Sequence, residues 1–486
     1  MPNERSADGV HPGRRPGRDD LEALAAIVGP GAVSVDAGDR AAYGTDRAVG
    51  PWTADAGAVV RPKTLVEVRA VVRCCEQRGL PIVPSGGRTG LVGGAVATAG
   101  EVVVSLDRMR AVLDVDPRAR TVRCEAGATV AAVDEAARAH GLFYPVDFAA
   151  KGTAQVGGTI ATNAGGVRVV RYGSTRSWVR GLVLVTGGGR VLRLGRGLVK
   201  DNTGYALEHL VVGAEGTLGI VVEATLGLAV PPRAVAVGVV GAASVEALLG
   251  LYERLSSARC TVSAFECFDE ACLGAVLRAR GEIRPPLQTT APMYGLVEIE
   301  HDGDSAEAAL DALAEVLCQA QEAGEISDAT MAQTPAQARA LWSLRESVSE
   351  ALHPRRPHKA DVTLPQRAMG DFLARARALV ERHVSQGELR IFGHLGDGNL
   401  HVNLLPPRDA DLPASALAVF DEALYGLVSD LGGSLSAEHG VGLLKRPYLS
   451  LRRTPEELAL MRAVKAAFDP AGVFNPGKLL PDAGAS

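Results

Sequence analysis

Three glycine-dense stretches, each beside an apolar run typical of a strand, constrain the fold of this chain most. PSGGRTGLVGG covers residues 84–94, and KGTAQVGGTIATNAGG (151–166) and GAEGTLGI (213–220) follow it. Glycine lets the backbone approach a ligand closely, because no Cβ shields the N–H groups. The spacing fits neither the P-loop nor the GxGxxG motif, and a single stretch is equally consistent with a glycine-rich turn. Three together favour a long, flat ligand that carries phosphate groups.

Size and composition narrow the class of protein. A chain of 486 residues is too long for one ordinary core, so two or three domains are expected. Hydrophobic residues make up 47% and the net charge is −5, which suits a globular protein and argues against a nucleic-acid partner. The seven cysteines form no CxxC pair, which argues against an iron–sulfur cluster and a disulfide framework. A reducing compartment, and hence a cytoplasmic location, is expected.

The N-terminal region lacks the apolar core of a secretory signal, so residues 1–20 are expected to form a disordered tail. No run of eighteen apolar residues occurs, so no membrane span is expected.

The order of predicted elements indicates an α+β fold in three parts. Strands and helices alternate over 21–230, and two consecutive prolines then mark a boundary. Residues 233–405 read as an antiparallel sheet covered by helices on one face, and the segment from about 441 reads as helical. One helix is well marked, because Val66, Ala70, Val71 and Cys74 fall at helical spacing and Gly79 suits a C-terminal cap.

The stretch FGHLGDGNLH carries two of the ten histidines and reads as a strand, a turn and a strand. Asp397 and Gly398 form a favoured two-residue hairpin turn, which predicts that His394 lies directly opposite His401. Directly opposed side chains are close enough for two imidazoles to share one cation. Period-two alternation places Asn403 on the same face as His401. The alternative is a histidine pair on a solvated sheet face.

A further candidate ligand lies in GSLSAEHGVG, which contains Glu438 and His439. Adjacent side chains of a strand point to opposite faces, so both reach one site only from an irregular turn. Two imidazoles and one carboxylate suit a catalytic zinc ion.

The chain resembles the vanillyl-alcohol-oxidase type of FAD flavoenzymes, and within it the D-2-hydroxyacid dehydrogenases, in particular those of D-2-hydroxyglutarate. PSGGRTGLVGG, GTIATNAGG, GAEGTLGI and FNPGKLL carry the resemblance in this order, and it covers roughly residues 40–480. It implies a two-part FAD-binding domain over 21–230, a substrate or cap domain that holds the metal over 231–440, and a C-terminal segment that returns to the FAD domain. The residues that match the family's FAD positions are Ser85, Gly86, Gly87, Arg88, Thr89, Gly90, Gly158, Thr162, Asn163, Gly166, Gly219, Ile220 and Asn475.

The same resemblance implies the chemistry. Some relatives link the flavin through a histidine where this chain has Arg88, so noncovalent FAD is expected. His394, His401 and Glu438 match ligands of a divalent metal, usually zinc, and His439 matches the general base. A 2-hydroxyacid would chelate the metal, lose its hydroxyl proton to His439 and transfer hydride to N5 of FAD.

Substrate choice is implied by Arg345, Ser349 and Lys359, which match the family's carboxylate-binding residues, with Asn403 beside the metal. Arg345 and Ser349 stand four apart in the predicted helix 340–352 and would share one face. A second cationic site favours a dicarboxylate, so D-2-hydroxyglutarate is expected and D-lactate or glycolate is the alternative. Lys359 lacks the aromatic neighbours typical of the family, which leaves the size of the pocket open.

Two other classes remain as alternatives, a non-catalytic flavin subunit of an electron-transfer complex and a hydrolytic metalloenzyme. The former has no need of the histidine set, and the latter has no need of three FAD-like loops. An electron-transfer flavoprotein or a quinone is the candidate electron acceptor, and a homodimer is a candidate assembly.

Overall fold

The computed structural model describes residues 14–258, 260–301, 305–408 and 410–481, which fall into two compact units. Unit 1 comprises Met1–Gly165, Ser174–Pro231 and Glu438–Ser486, and unit 2 comprises Gly166–Gly173 and Pro232–Ala437. The expected boundaries lay after residues 230 and 440. The short segment Gly166–Gly173, expected within the FAD domain, belongs to unit 2 instead.

The described strands run in chain order. They are β1 (Val33–Ser34), β2 (Ala58–Val60), β3 (Ile82–Ser85), β4 (Val102–Ser105), β5 (Val112–Asp116), β6 (Thr121–Glu125), β7 (Val179–Val185), β8 (Val191–Leu194), β9 (Ile220–Gly227), β10 (Ala234–Ala242), β11 (Thr261–Asp269), β12 (Met293–His301), β13 (Asp328–Met331), β14 (His358–Thr363), β15 (Glu388–His394) and β16 (Asn399–Leu405).

The described α-helices are likewise numbered along the chain. They are α1 (Arg18–Val28), α2 (Ala37–Tyr43), α3 (Leu65–Arg78), α4 (Val130–Arg138), α5 (Val156–Thr162), α6 (Val169–Tyr172), α7 (Glu208–Val211), α8 (Val245–Ser257), α9 (Glu270–Ala279), α10 (Ala306–Glu322), α11 (Pro335–Glu346), α12 (Val348–Leu352), α13 (Met369–His383), α14 (Ala414–Asp430) and α15 (Pro455–Phe468).

The disordered tail expected over 1–20 overlaps a helix. Residues 1–13 lie outside the described part of the chain, and α1 already begins at Arg18. The Asp20 carboxylate in its first turn accepts hydrogen bonds from the Gly17 N–H and from Arg14 and Arg78. A negative charge is favourable at a helix N-terminus, so Asp20 stabilises the start of α1.

Helix α3 ends where the sequence predicts, because Gly79 adopts the left-handed conformation (φ 64°) that a C-terminal cap requires. Thr64 begins the helix by accepting the Glu67 N–H. The predicted apolar face is wrong at Val66, which is 75% exposed, whereas Val68 is buried. Val66 lies in the first turn, beyond the stripe that packs on the core.

Unit 1 contains a four-stranded sheet in the order β1-β2-β4-β3 and a five-stranded sheet in the order β5-β6-β9-β7-β8. β4 pairs in parallel with both β2 and β3, so the chain leaves β3 into the first glycine loop at the carboxyl edge of a parallel sheet. The five-stranded sheet is antiparallel throughout.

Unit 2 is built on a seven-stranded antiparallel sheet in the order β13-β10-β12-β11-β15-β16-β14. Its helices cover both faces, so the expectation of one covered face is wrong. A Cβ placed on Gly295 would lie 3.0 Å from Leu248 of α8, whereas its neighbour Leu296 packs with Trp342 of α11. Apolar residues on both faces of β12 account for this arrangement.

The helix predicted over 340–352 is interrupted. It ends as α11 at Glu346 and resumes as α12 at Val348, and Ser347 between them has a ψ of −8° rather than the helical value of about −42°. Among the described residues, no helix has the length and apolar character needed to cross a bilayer.

Candidate active site

The β15–β16 hairpin has a longer turn than predicted. His394 pairs with Asn399 and Phe392 pairs with His401, so His394 and His401 are not directly opposed. Asp397 does not take a positive φ, as the predicted type I′ turn requires; its side chain accepts the Asn399 N–H instead. Only Gly398 (φ 88°) adopts the left-handed conformation.

The two histidines nevertheless meet. The register differs from the predicted one by two residues, and a shift of two keeps every side chain on its predicted face. His394 is therefore a diagonal neighbour of His401, their ring centroids lie 5.2 Å apart, and the two Nε2 atoms are separated by 3.4 Å. The two imidazoles are close as expected, although the predicted turn and the direct pairing of the two residues are wrong.

Glu266 of β11 joins the first histidine to a predicted substrate residue. Its Oε1 lies 2.8 Å from His394 Nδ1, and its Oε2 lies 2.8 Å from Arg345 Nε. Burial favours a raised pKa for this carboxyl, but the charges of His394 and Arg345 outweigh burial and lower its pKa below the ordinary value. A carboxylate can only accept, so His394 Nδ1 would donate to it.

Asp361 of β14 has the same relation to the second histidine. It is fully buried, pairs with His401 across the strands, and places Oδ1 3.4 Å from His401 Nδ1. Oδ1 also accepts the Asn399 side-chain N–H at 2.8 Å, and Oδ2 accepts the Ala437 backbone N–H at 3.0 Å. Asp361 thus fixes the chain immediately before the second predicted ligand segment.

Glu438 and His439 follow Ala437 in an irregular stretch without helix or strand, as the sequence predicted. The His439 Nε2 lies 3.8 Å from Glu438 Oε1. Glu438 and His439 belong to unit 1, whereas Asp361 and His401 belong to unit 2.

The donor set fits a divalent metal ion. Two nitrogen ligands about 2.0–2.1 Å from zinc at the tetrahedral angle are separated by about 3.3–3.4 Å. The two Nε2 atoms of His394 and His401 lie 3.4 Å apart, and each Nδ1 faces a carboxylate. With the proton of each ring on Nδ1, the two Nε2 lone pairs would converge on one cation.

Arg345 and Ser349 do not share one environment. Arg345 is 6% exposed and its guanidinium lies over the Phe392 ring at 4.8 Å, whereas Ser349 is exposed. The Nε of Arg345 is near Glu266 without hydrogen-bond geometry, and Nη2 likewise has no hydrogen-bond acceptor among the described residues. A buried guanidinium with open donors suits an incoming carboxylate.

A second polar row lies one step further along the strands. Asn403 of β16 pairs with Lys359 of β14 on one side and with Arg390 of β15 on the other. Arg390 donates to Glu388 and to the Leu389 carbonyl. No hydrogen bond or ion pair involves the Lys359 side chain within the described chain, and burial lowers its pKa.

The first glycine loop fits a bound pyrophosphate. Ser85, 4% exposed, has a hydroxyl without a hydrogen-bond partner in the described residues. A Cβ on Gly86 would meet nothing closer than the Gly158 Cα at 3.5 Å, and one on Gly158 would meet nothing within 4 Å. Packing does not require glycine at either position, so the open backbone is consistent with a ligand. Gly87 differs, because its Cβ would lie 2.1 Å from the Thr153 carbonyl oxygen.

Arg88 adopts a positive φ of 56° and turns back on its own loop, where it donates to the Gly86 carbonyl at 2.9 Å. Its guanidinium lies 4.3 Å from the Tyr43 ring centroid. An arginine cannot form the histidyl bond of covalent flavoenzymes. Thr89 and Gly90 continue this loop, outside helix and strand.

The second glycine stretch forms α5 and its cap. Thr162 donates to the Gly158 carbonyl, and Asn163 ends the helix in the left-handed conformation. The Asn163 side-chain oxygen accepts from Ser174 and from the Arg176 N–H, so it holds the following loop. Gly166, the last cofactor residue of this stretch, lies in unit 2.

The remaining cofactor candidates serve the fold of unit 1. Gly219 has a φ of 146°, and a Cβ there would lie 2.4 Å from the Val185 carbonyl oxygen. Ile220 is the buried first residue of β9. Asn475 donates to the Gly94 and Glu215 carbonyls, so it ties two glycine loops to the C-terminal segment. Their contacts with FAD remain predictions.

The sequence interpretation missed Glu266, Asp361 and Arg390. Glu266 stands inside the apolar run SAFECFD, and an acidic residue in a buried strand signals a polar site. Asp361 follows Lys359 by two residues, so period-two alternation placed it on the predicted site face.

Comparison with known proteins gives a consistent assignment. Residues 56–195 match the FAD binding domain, and residues 231–479 match the C-terminal domain of FAD linked oxidases. The D-2-hydroxyglutarate dehydrogenase of Stutzerimonas stutzeri is 41% identical over 94% of this chain and 98% of its own length. The protein of that name from Xanthomonas citri is 45% identical over 88% of this chain and 90% of its own length. A mitochondrial relative of the same name from Danio rerio is 37% identical over 87% of this chain and 78% of its own length.

Solved structures share the fold. 4-ethylphenol oxidase from Gulosibacter chungangensis superposes with a TM-score of 0.74 at 18% identity, over 99% of each chain. p-Cresol methylhydroxylase gives a TM-score of 0.72 at 17% identity, over 95% of this chain and 96% of its own. The chain therefore belongs to the FAD-linked oxidase family and is an oxidoreductase with a two-part FAD-binding domain and an antiparallel-sheet domain.

Proposed function

We propose that this enzyme oxidises D-2-hydroxyglutarate to 2-oxoglutarate with noncovalent FAD and a divalent metal ion, most simply Zn²⁺. The observation that carries the proposal is the pair of imidazoles whose Nε2 atoms converge to 3.4 Å, each with a buried carboxylate at Nδ1. The choice of substrate is supported by the two bacterial relatives, because both are named D-2-hydroxyglutarate dehydrogenase.

The bound groups supply what side chains lack: FAD accepts a hydride, and a divalent cation provides Lewis acidity toward a hydroxyl and its neighbouring carboxylate. His394, His401 and Glu438 would hold the cation. His439 would take the hydroxyl proton, a role for which an imidazole is suited near neutral pH. Its position next to Glu438 in the chain supports this assignment, because the base must stand beside the hydroxyl that the cation would polarise.

The residues around Arg345 and Lys359 support a dicarboxylate. Arg345 offers open donors in a buried setting, and Lys359 is a half-buried cation with no ion pair to a carboxylate among the described residues. A substrate carboxylate at Lys359 would restore the interaction that burial removes from the ammonium group. Asn403 lies on the strand between Lys359 and Arg390 and would add a side-chain amide to this site. Ser349 remains a candidate of lower weight because it is exposed and does not share the buried environment of Arg345.

A second candidate function is oxidation of D-lactate or glycolate. It is kept because His358 and Ala360, which flank Lys359, depart from the residues that the family has there. We further propose a cytoplasmic location, an electron-transfer flavoprotein or a quinone as acceptor, and a homodimer.

The test is a dye-reduction screen of D- and L-2-hydroxyacids, with metal content measured on the same sample. D-2-hydroxyglutarate should give the highest kcat/KM, and L-2-hydroxyglutarate serves as the matched control. Chelation should abolish turnover while flavin absorbance remains, and added Zn²⁺ should restore it. Turnover with no D-2-hydroxyacid would refute the proposal, and highest turnover with D-lactate would select the second candidate.

A further inference from the structure

Glu266 and Asp361 occupy equivalent positions relative to the two histidines, although they come from different strands. Each carboxylate belongs to a strand that neighbours its histidine, Glu266 pairing with His394 and Asp361 with His401. Each faces the Nδ1 atom, at 2.8 Å and 3.4 Å respectively. Both are fully buried.

We propose that Glu266 and Asp361 are positioning residues that hold His394 and His401 in the Nδ1–H tautomer, so that both Nε2 atoms are presented to one metal ion. This inference rests on the metal site of the proposed function. Imidazole ligands commonly donate their second N–H to a carboxylate, which fixes the ring and raises the basicity of the ligating nitrogen.

The other contacts of Asp361 support the positioning role. Asp361 accepts N–H groups on both of its oxygens, from Asn399 and Ala437, and it lies on the Nδ1 side of His401. These contacts suit a residue that orients the groups around the ion. Because Ala437 precedes the predicted ligand Glu438, Asp361 also positions that segment.

Glu266 contacts a predicted substrate residue as well as a predicted metal ligand. One oxygen holds His394 and the other lies 2.8 Å from Arg345. The same side chain thus sets the orientation of a metal ligand and of the guanidinium assigned to a substrate carboxylate. A change at Glu266 should disturb both functions, whereas a change at Asp361 should disturb the metal site alone.

The experiment measures Co²⁺ binding to the FAD-containing protein after removal of its own metal, with the visible absorption of Co²⁺ as the signal. Glu266→Gln and Asp361→Asn should each raise the Co²⁺ dissociation constant by about 10- to 100-fold and change the absorption bands. The matched control is Glu298→Gln. Glu298 is a buried carboxylate of the same sheet whose oxygens accept from Arg168, Ser263 and Trp342 rather than from a histidine. It should leave the dissociation constant and the bands unchanged.

The outcomes separate this inference from the proposed function. A wild-type protein that binds no Co²⁺ refutes the proposed metal site. A wild-type protein that binds Co²⁺ as tightly as both variants refutes the positioning role alone, and complete loss of binding in Asp361→Asn would make Asp361 a ligand. Glu266→Gln leaves a buried arginine without its carboxylate and could fail to fold. ¹⁵N NMR of histidine-labelled, metal-free wild type therefore provides a second test, in which Nε2–H tautomers for His394 and His401 would overturn the proposal.

Discussion

Replacing Lys359 by methionine removes a half-buried ammonium group from the row that it forms with Asn403 and Arg390 while keeping the length of the side chain. Burial lowers the pKa of Lys359, which means that the protein does not compensate its charge. A substrate carboxylate that does so forms a charge-assisted hydrogen bond, which contributes roughly 1.5–3 kcal/mol. The variant should therefore lower kcat/KM for D-2-hydroxyglutarate by about ten- to a hundred-fold.

D-Lactate has a methyl group in place of the distal carboxylate, so its kcat/KM should change by less than about threefold. The assay is steady-state dye reduction with both substrates on the same enzyme preparation. Lys63→Met, at an exposed lysine of unit 1, is the matched control and should affect neither substrate. Arg390→Met should lower kcat/KM for D-2-hydroxyglutarate less than Lys359→Met does, because Arg390 already donates to Glu388 and Leu389.

The loss of kcat/KM with D-2-hydroxyglutarate, divided by the loss with D-lactate, shows which carboxylate Lys359 contacts. An equal loss with D-2-hydroxyglutarate and D-lactate would mean that Lys359 contacts the carboxylate beside the reacting hydroxyl. The reasoning that links Lys359 to a distal carboxylate would then be refuted, and the dicarboxylate proposal would rest on the relatives alone.

Three further predictions follow from single residues. Because Arg88 cannot form a histidyl bond, acid precipitation should release all FAD into the supernatant, and flavin left in the pellet would contradict this. His394→Ala and His401→Ala should lose bound metal but keep FAD, whereas His439→Ala should keep metal and lose about 10²- to 10⁴-fold in kcat; equal metal loss in all three would exclude the base role. Burial lowers the pKa of Lys478 from 10.5 to about 8. Between these values only the unfolded chain holds the proton, so the free energy of unfolding, relative to Lys478→Met, should rise by roughly 3 kcal/mol from pH 8 to 10.5 in urea titrations; a flat difference would refute the shift.

Local features were predictable because their causes are local. Helix α3 ends at Gly79 since the glycine accepts the left-handed conformation, and neighbouring residues alone dictate that cap. The glycine loops were identifiable because clusters of glycine, which has no side chain, are visible directly in the sequence. The proximity of His394 and His401 was predictable despite the wrong turn, because a register shift of two residues preserves the face of every side chain.

The neighbours of those histidines were decided by the tertiary structure. Period-two alternation assigns a face to each residue of a strand, but it does not say which other strand lies alongside. Glu266 reaches His394 across 128 residues of chain because β11 inserts beside β15, and Asp361 reaches His401 because β14 closes the sheet next to β16. No local pattern encodes that strand order. The sequence alone therefore determined the candidate ligand residues, and the sheet decided which carboxylates lie beside them.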